Sequence, residues 1–585
     1  MTTDVGTARL NPLAHTSFDV RLGGRPLGVT ELDDLVDVRV QRGVRTVGRA
    51  SLTFVDRGYR LVTSRLAIGQ DVEVRVDGTS LFTGTVTALG TRADHRGSTT
   101  TVTAHDGAYA LTTDAGVVAR ANVDASQVVA ELARAARLSV QGWPTSRTEP
   151  WHLQADSPLG LIDELAVASG LDWVVDGTTL RVWERASGTA KGARRTRLTV
   201  GLDLDELSAR QVGRPDATYV VQGWDAATTT AVRATANAPA PRAGFTARVD
   251  ADGATPQIQV GGLQVRSAEE ARVRAEALAA RHGRVEAQGR GPLAPDVVPG
   301  GEVEVAEGGP LDGTYYVQEV EHRFDGRASR TSFVAGDREP VRLGTAAPGE
   351  RTASSAHHSG LVVATVNSTD DPDRLGRVRV TYVTASDRTS SDWARVLAPG
   401  GGSAGGMVLQ HEPGDEVLVA FEGGDVSRPV VLGGLHSASA PPPQTIRADG
   451  GPRVRSMHSR HGQRLVLGDG ESGDDAYVEL ALGAAGHGLR ISQQKAVLEV
   501  GQIPLRIVAG SSSIELDGKG RVTVRGTDIA VQADNELRLK GTTVKIEGTA
   551  KVEVTGAQVA LKANGTAEVS ASGPTKIVGN PVAIN

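Results

Sequence analysis

Residues 514–569 read IELDGKGRVTVRGTDIAVQADNELRLKGTTVKIEGTAKVEVTGAQVALKANGTAEV, and the stretch repeats. Apolar residues recur in pairs one residue apart: Ile514/Leu516, Val522/Val524, Ile529/Val531, Leu537/Leu539, Val544/Ile546, Val552/Val554, Val559/Leu561 and, more weakly, Ala567/Val569. Successive pairs are 8, 7, 8, 7, 8, 7 and 8 residues apart. Gly, Asp, Asn, Thr or Ala fill the intervals, as in Asp517-Gly518-Lys519-Gly520 and Gly541-Thr542-Thr543. Each unit therefore reads as a short strand with two residues on one face, then a corner where a small or polar residue turns the chain.

Two side chains per strand cannot make a core, so such units have to stack. A solenoid wound from a single chain uses coils of about 20 residues or more in the common repeat classes. A step of seven or eight residues is too short for a whole coil but fits one side of a triangular prism wound from three chains. The spacing thus predicts a homotrimer whose shaft core is Ile514, Leu516, Val522, Val524, Ile529, Val531, Leu537, Leu539, Val544, Ile546, Val552, Val554, Val559 and Leu561. Glu515, Arg538, Lys545, Glu553 and Glu568 fall on the outward, solvated face. Strands stacked about 4.8 Å apart would carry the eight units over roughly 40 Å.

The rest of the 585-residue chain is different material. Seven of its eight lysines follow residue 490, and no aromatic residue follows Tyr477. Cysteine is absent, which excludes a disulfide-stapled scaffold and thiolate metal sites. A net charge of −6 argues against a general nucleic-acid binder, which presents a basic face. The first ten residues lack a secretory pattern, and no run of about 18 apolar residues exists to span a membrane. The expectation is assembly in the bacterial cytoplasm without a signal peptide.

Residues 1–110 show strand alternation in Phe18 to Leu22, Val36 to Val40 and Val72 to Val76, with Gly23-Gly24 and Asp77-Gly78 as turns. Residues 111–185 become α+β. Asp124 with Gln127 caps one helix, Ser157-Pro158 opens a second that Gly170 ends, and Leu171 to Trp183 folds as a hairpin. Residues 186–345 return to β around one helix, with a capping box at Ser267 to Glu270 and Gly283 as its C′ residue. A linker at 346–360 precedes five short strands within 361–437, the pattern of a small barrel. A Pro-rich spacer, 438–455, leads to the shaft, 456–585.

Read in this order, the chain resembles the VgrG-like hub-spike proteins of contractile injection systems, in which phage hub and spike are fused. Ile68 to Val74, Leu81 to Val86 and Ala104-His105-Asp106 are similar to the phage hub segment, and Leu311 to Val317 to its second half. Asp371 to Val380, Trp393 to Val396 and Pro413 to Phe421 resemble the spike OB-fold. His458 to Leu467 and the closing Asn580 to Asn585 resemble the shaft. The resemblance implies two tail-tube-like β-barrels (1–110 and 186–345), the α+β insert, an OB-fold and a trimeric triple-stranded β-helix. It also implies a structural, non-enzymatic hub and membrane-puncturing spike that adapts a hexameric tube to a trimeric tip. Its partners would be the inner tube ring, baseplate proteins, a separate PAAR-like tip protein, effector cargo and the target membrane, with no nucleic acid. The N-terminal pattern is closer to extracellular phage-like particles than to type VI secretion.

Motifs that could carry catalysis do not hold up. Gly401-Gly402-Ser403-Ala404-Gly405 spells a nucleophile elbow, yet its flanks are loop and strand where strand and helix are required. Gly400 to Gly405 also spells a dinucleotide fingerprint with no helix after it. His411-Glu412 runs into Pro413, so no zinc-binding helix forms. His357-His358 lies in the linker, and Asp370-Asp371-Pro372-Asp373 reads as a solvated turn rather than a calcium loop. No histidine follows His487, so no tip metal is expected, and no cofactor is implied. The alternatives are a phage tail spike, a surface adhesin built on a β-solenoid, or a polysaccharide depolymerase. A depolymerase wants an acidic cleft on long coils, which a 7–8 residue step does not supply. An adhesin is expected to carry a secretion signal and an anchor, which this sequence does not show.

Overall fold

The computed structural model describes residues 8–584 except 12–15, 96, 114–117, 147, 155–156, 187, 191, 194, 213–215, 226–227, 241–243, 246, 248–254, 261–264, 327, 340–359, 383–389, 403–404, 444–453, 470–474 and 484–485. Most of both expected linkers lies outside the described residues, as do His357, His358, Ser403 and Ala404. With 45% of the described residues in strands and 13% in helices, the chain is mainly β, as its alternation predicts. No described helix is long and apolar enough to cross a membrane. The chain divides into two compact units, Met1–Ala440 and Pro441–Asn585.

In the first unit, strands Thr16–Leu22, Asp71–Val76, Thr79–Asp94, Gly97–His105, Arg49–Val55 and Leu35–Gly43 lie side by side and antiparallel. Val20, Leu22, Val38, Val40, Val72, Val74 and Val76 turn into one core with Leu52 and Phe54. Val36, in phase with Val38 and Val40, was expected to join them but is exposed, because the ladder shifts register between Leu35 and Asp37. Leu35 takes the inward place, as an inserted bulge residue permits. Asp77 and Gly78 both hold positive φ, 47° and 82°, the geometry of a two-residue hairpin turn.

Leu35–Gly43 also pairs antiparallel with Gly313–Phe324, so a second lobe continues the same sheet through Ser329–Gly336, Val285–Pro292 and Glu206–Gln211. Its core gathers Val285, Val303, Tyr315, Val317 and Phe333. Within 186–345 there is more than this lobe. Thr230–Asn237, Thr218–Asp225 and Gln257–Val260 form a separate three-stranded sheet, and the Ala268–Ala280 helix packs on it through Ala271 and Ala275.

Ser267 caps that helix by accepting from the Glu270 N–H at 3.1 Å. The Glu270 carboxylate reaches past Ser267 to the Arg266 N–H, so the reciprocal box is not closed. Gly283 lies beyond the expected C′ position, since the helix is capped at Arg281. Glycine is required there because a Cβ would stand 2.2 Å from the Arg338 Cα.

The insert folds as its caps predict, with Asp124 accepting from the Ser126 and Gln127 N–H groups and Ser157 from Gly160. A buried ionic cluster invisible in the sequence ties these parts together. Asp172, fully buried, accepts from Arg185 and from the Tyr316 hydroxyl, each at 3.0 Å, and Arg281 lies 3.5 Å away. Arg45 grips Asp163 through two bonds of 2.7 and 2.8 Å, and Trp173 donates to the same carboxylate. The first lobe, the insert, the helix and the second lobe each contribute a charged or polar group.

His322, on the strand that joins the lobes, is buried against Thr331. Burial, with Arg42 nearby, pushes its imidazole down to about 4. The unfolded value is about 6.5, so stability is complete above that and falls as the pH drops toward 4, by about 3 kcal/mol in total. His322→Asn, which cannot ionise, should lose correspondingly less stability over that interval in urea unfolding. Equal losses in the two proteins would show that His322 does not titrate as its burial requires.

Candidate functional site

The fourteen aliphatics expected to form a shaft core all belong to the second unit. That unit opens with an antiparallel meander: Val454–His458, Arg464–Gly468, Tyr477–Leu482, His487–Ser492 and Ala496–Val500. Leu505–Ala509, Ser512–Leu516 and Val522–Arg525 form a second one. Ile514 stands opposite Val524, and Leu516 opposite Val522. The first two repeat units are thus a hairpin within one chain, where the sequence reading began the three-chain winding at residue 514.

The remaining ten are not brought together. From 526 to 584 the described residues form no strand and no backbone-to-backbone hydrogen bond. The segment still has a regular course. It bends at 527–528, 534–535, 542, 549–550, 557, 564–565, 572–573 and 580–581, in the polar and glycine intervals between apolar pairs. Every predicted core residue is solvent-exposed in the single chain: Val544 is 53% exposed, Ile546 70% and Leu561 91%. Monomeric proteins do not ordinarily leave so long an aliphatic stripe uncovered. Lys545 pairs with Glu547 and Lys551 with Glu553, while Arg538 binds Glu536 at 2.9 Å.

In the first unit, strands Arg379–Tyr382, Val362–Ser368, Glu416–Phe421, Pro429–Gly434 and Arg395–Val396 make a five-stranded sheet in that order. Asp371 organises its acidic turn. The carboxylate accepts from the N–H groups of Asp373, Leu375 and Arg377 and from the Arg377 guanidinium. These bonds, the Arg377 guanidinium first, hold it far below the usual carboxylate range. The turn was expected to be solvated, but Asp371 is buried and its carboxylate is taken up by its own loop.

Gly401–Gly402 pairs antiparallel with Gly405–Gly406, and no helix follows at 407–410, so the described glycines of the G-x-S-x-G run do not form a strand-to-helix elbow. His411 lies 3.9 Å from Asp415, outside any helix. Among the described residues, no group of three or more His, Asp or Glu side chains is placed to hold a metal.

Residues 362–436 match the type VI secretion system/phage-baseplate injector OB domain family. Among solved structures, the Francisella PdpA-VgrG complex in its lidded form aligns with 83% of this chain and 80% of its own, at 9% identity and a TM-score of 0.51. At this identity the likeness is one of fold, which this chain shares with a chain of that complex. An E. coli component of the type VI secretion system aligns over 71% of this chain and 99% of its own, at 15% identity and a TM-score of 0.46. A prophage MuSo2 tail protein from Shewanella oneidensis aligns over 55% and 98%, at 16% identity and 0.42. No curated protein matches the chain.

The sequence reading missed the buried cluster around Asp172, because its members are spread from Arg45 to Glu339 with no local pattern. It also missed the role of Asp371, whose signal was present as an acidic residue six before an arginine, in the spacing of a self-closed turn. Asp371→Ala strips three loop N–H groups and a guanidinium of their acceptor. It should cost about 2–4 kcal/mol, seen as a lower denaturant midpoint, and an unchanged midpoint would show the turn to be held by other contacts.

Proposed function

We propose that the chain is the hub and membrane-puncturing spike of a contractile injection system, acting as a homotrimer and without catalytic activity. The observation that carries this reading is the 526–584 segment. It bends in step with its sequence repeat, exposes every aliphatic residue and leaves its backbone without partners in the chain. Backbone N–H and C=O groups of a structured segment are almost always paired. Two further copies, wound with the first, would pair them and bury both aliphatics of each unit. Burying such a side chain is worth about 1.5–3 kcal/mol, and the ten predicted core residues of this segment in each chain add up well beyond the entropy of association.

The hub supports the same assignment. Each chain carries two β lobes joined edge to edge, so three chains present six lobes to a six-fold tube ring while keeping three-fold symmetry at the spike. Baseplate proteins would bind around this hub. A shaft whose hydrogen bonds cross between chains at every layer resists fraying under axial load, as puncture of a target membrane requires. A separate PAAR-like protein would cap the tip, and effector cargo would travel on it. The particle would be assembled in the cytoplasm and act on a cell outside it.

Light scattering on the full-length protein should return three times the 60.8 kDa mass of one chain. A chain carrying both Val544→Asp and Ile546→Asp should fail to form that species, since carboxylates would be buried unpaired at one level of the prism. A soluble trimer of parental stability from the double variant would sink the three-chain shaft.

A further inference from the structure

The OB domain does not fill its own core. Apart from Tyr382, its buried apolar residues are all alanine or valine, among them Ala364, Val380, Ala394 and Val417. The largest side chain in that cluster comes from elsewhere. Trp151, 4% exposed, sits on Glu149–Gln154, a strand of the α+β insert paired antiparallel with Val118–Val123. Ala119 and Leu153 of the same two-stranded ribbon pack against the cluster beside it. A domain of this size buries a smaller fraction of its surface than a larger one and is marginal alone, so an imported indole is a substantial part of its core.

Polar contacts fix the orientation of this seat. The Trp151 indole N–H donates to the Ser390 carbonyl at 3.1 Å. Arg266, just before the Ala268–Ala280 helix, donates to the Ser427 carbonyl and hydroxyl at 2.9 and 3.1 Å and lies 3.6 Å from Asp392. In the opposite direction Arg428 of the OB domain, its side chain 9% exposed, stands 4.0 Å from Glu270 of the helix. The arginines are exchanged across the junction, one from each side, each facing a carboxylate of the other.

We infer that the Val118–Val123/Glu149–Gln154 ribbon is a built-in docking surface for the OB domain, with Trp151 as its key and Arg266 as its orienting clamp. Hub insert and OB domain then move as one body instead of swivelling on the chain between them. If the protein is the spike proposed above, load on the hub reaches the OB domain through this seat. The docking itself does not depend on that reading.

Hydrogen–deuterium exchange on the full-length chain tests it. Trp151→Ala and, separately, Arg266→Ala should accelerate exchange in Val362–Ser368, Glu416–Phe421 and Pro429–Gly434 by on the order of tenfold or more, with Leu35–Gly43 at its parental rate. Should Trp151→Ala not fold, the combined Trp151→Phe/Arg266→Ala chain, which keeps the bulk and drops the polar contacts, takes its place. Parental rates in the OB strands overturn the docking, and so does equal acceleration in Leu35–Gly43. Light scattering on the same samples reports the oligomer separately, so a failure of the trimer reading is distinguishable from a failure of this one.

Discussion

Backbone hydrogen bonding separates the two kinds of material in this chain. Through the first unit every long strand finds a neighbour within the chain, and the ladder from Thr16–Leu22 runs through Leu35–Gly43 and Gly313–Phe324 to Glu206–Gln211. Beyond Arg525 the ladder stops. The residues there are no less regular, since their bends keep the seven-to-eight residue step. What they lack is a partner strand within hydrogen-bond reach in the same chain. A single copy leaves those amides and carbonyls, and the aliphatics between them, facing water.

The first unit solves a different problem. Two β lobes, a small α+β insert and a helix on its own sheet have to be held in one arrangement, and aromatic residues are scarce. Alternating valines make thin cores, and buried charge supplies the fixed geometry between them. Asp172 with Arg185, Arg281 and Tyr316, and Asp163 with Arg45 and Trp173, meet where four segments of the chain converge. Breaking one such pair leaves a charge buried without a partner, which is far costlier than losing a surface pair. The Trp151 seat follows the same economy, with one large side chain shared between two thin-cored parts.

Much of this was legible locally. The period-two alternation placed the strands of the first lobe, and the Asp124 and Ser157 caps placed two helices of the insert. Five short strands within 361–437 marked the small barrel. Reading failed where one residue changes the register or where contacts are distant. The bulge after Leu35 turned Val36 outward, and Gly283 proved to be a close-approach glycine facing Arg338. The three-stranded sheet under the Ala268–Ala280 helix was folded into its neighbour, because alternation marks a strand without naming its partner.

By itself the sequence determined the repeat, its step and the identity of the residues that need covering, since side-chain periodicity is a property of the local backbone. It also determined the absence of thiolate chemistry, since no cysteine is present. Only the tertiary structure decided that 514–525 folds back as a hairpin while 526–584 finds no partner in its own chain, because pairing depends on which strands come within hydrogen-bond reach. The same holds for the ion cluster around Asp172 and for Trp151 in the OB core. Burial of a charge or an indole is set by segments hundreds of residues apart, and no local pattern encodes it.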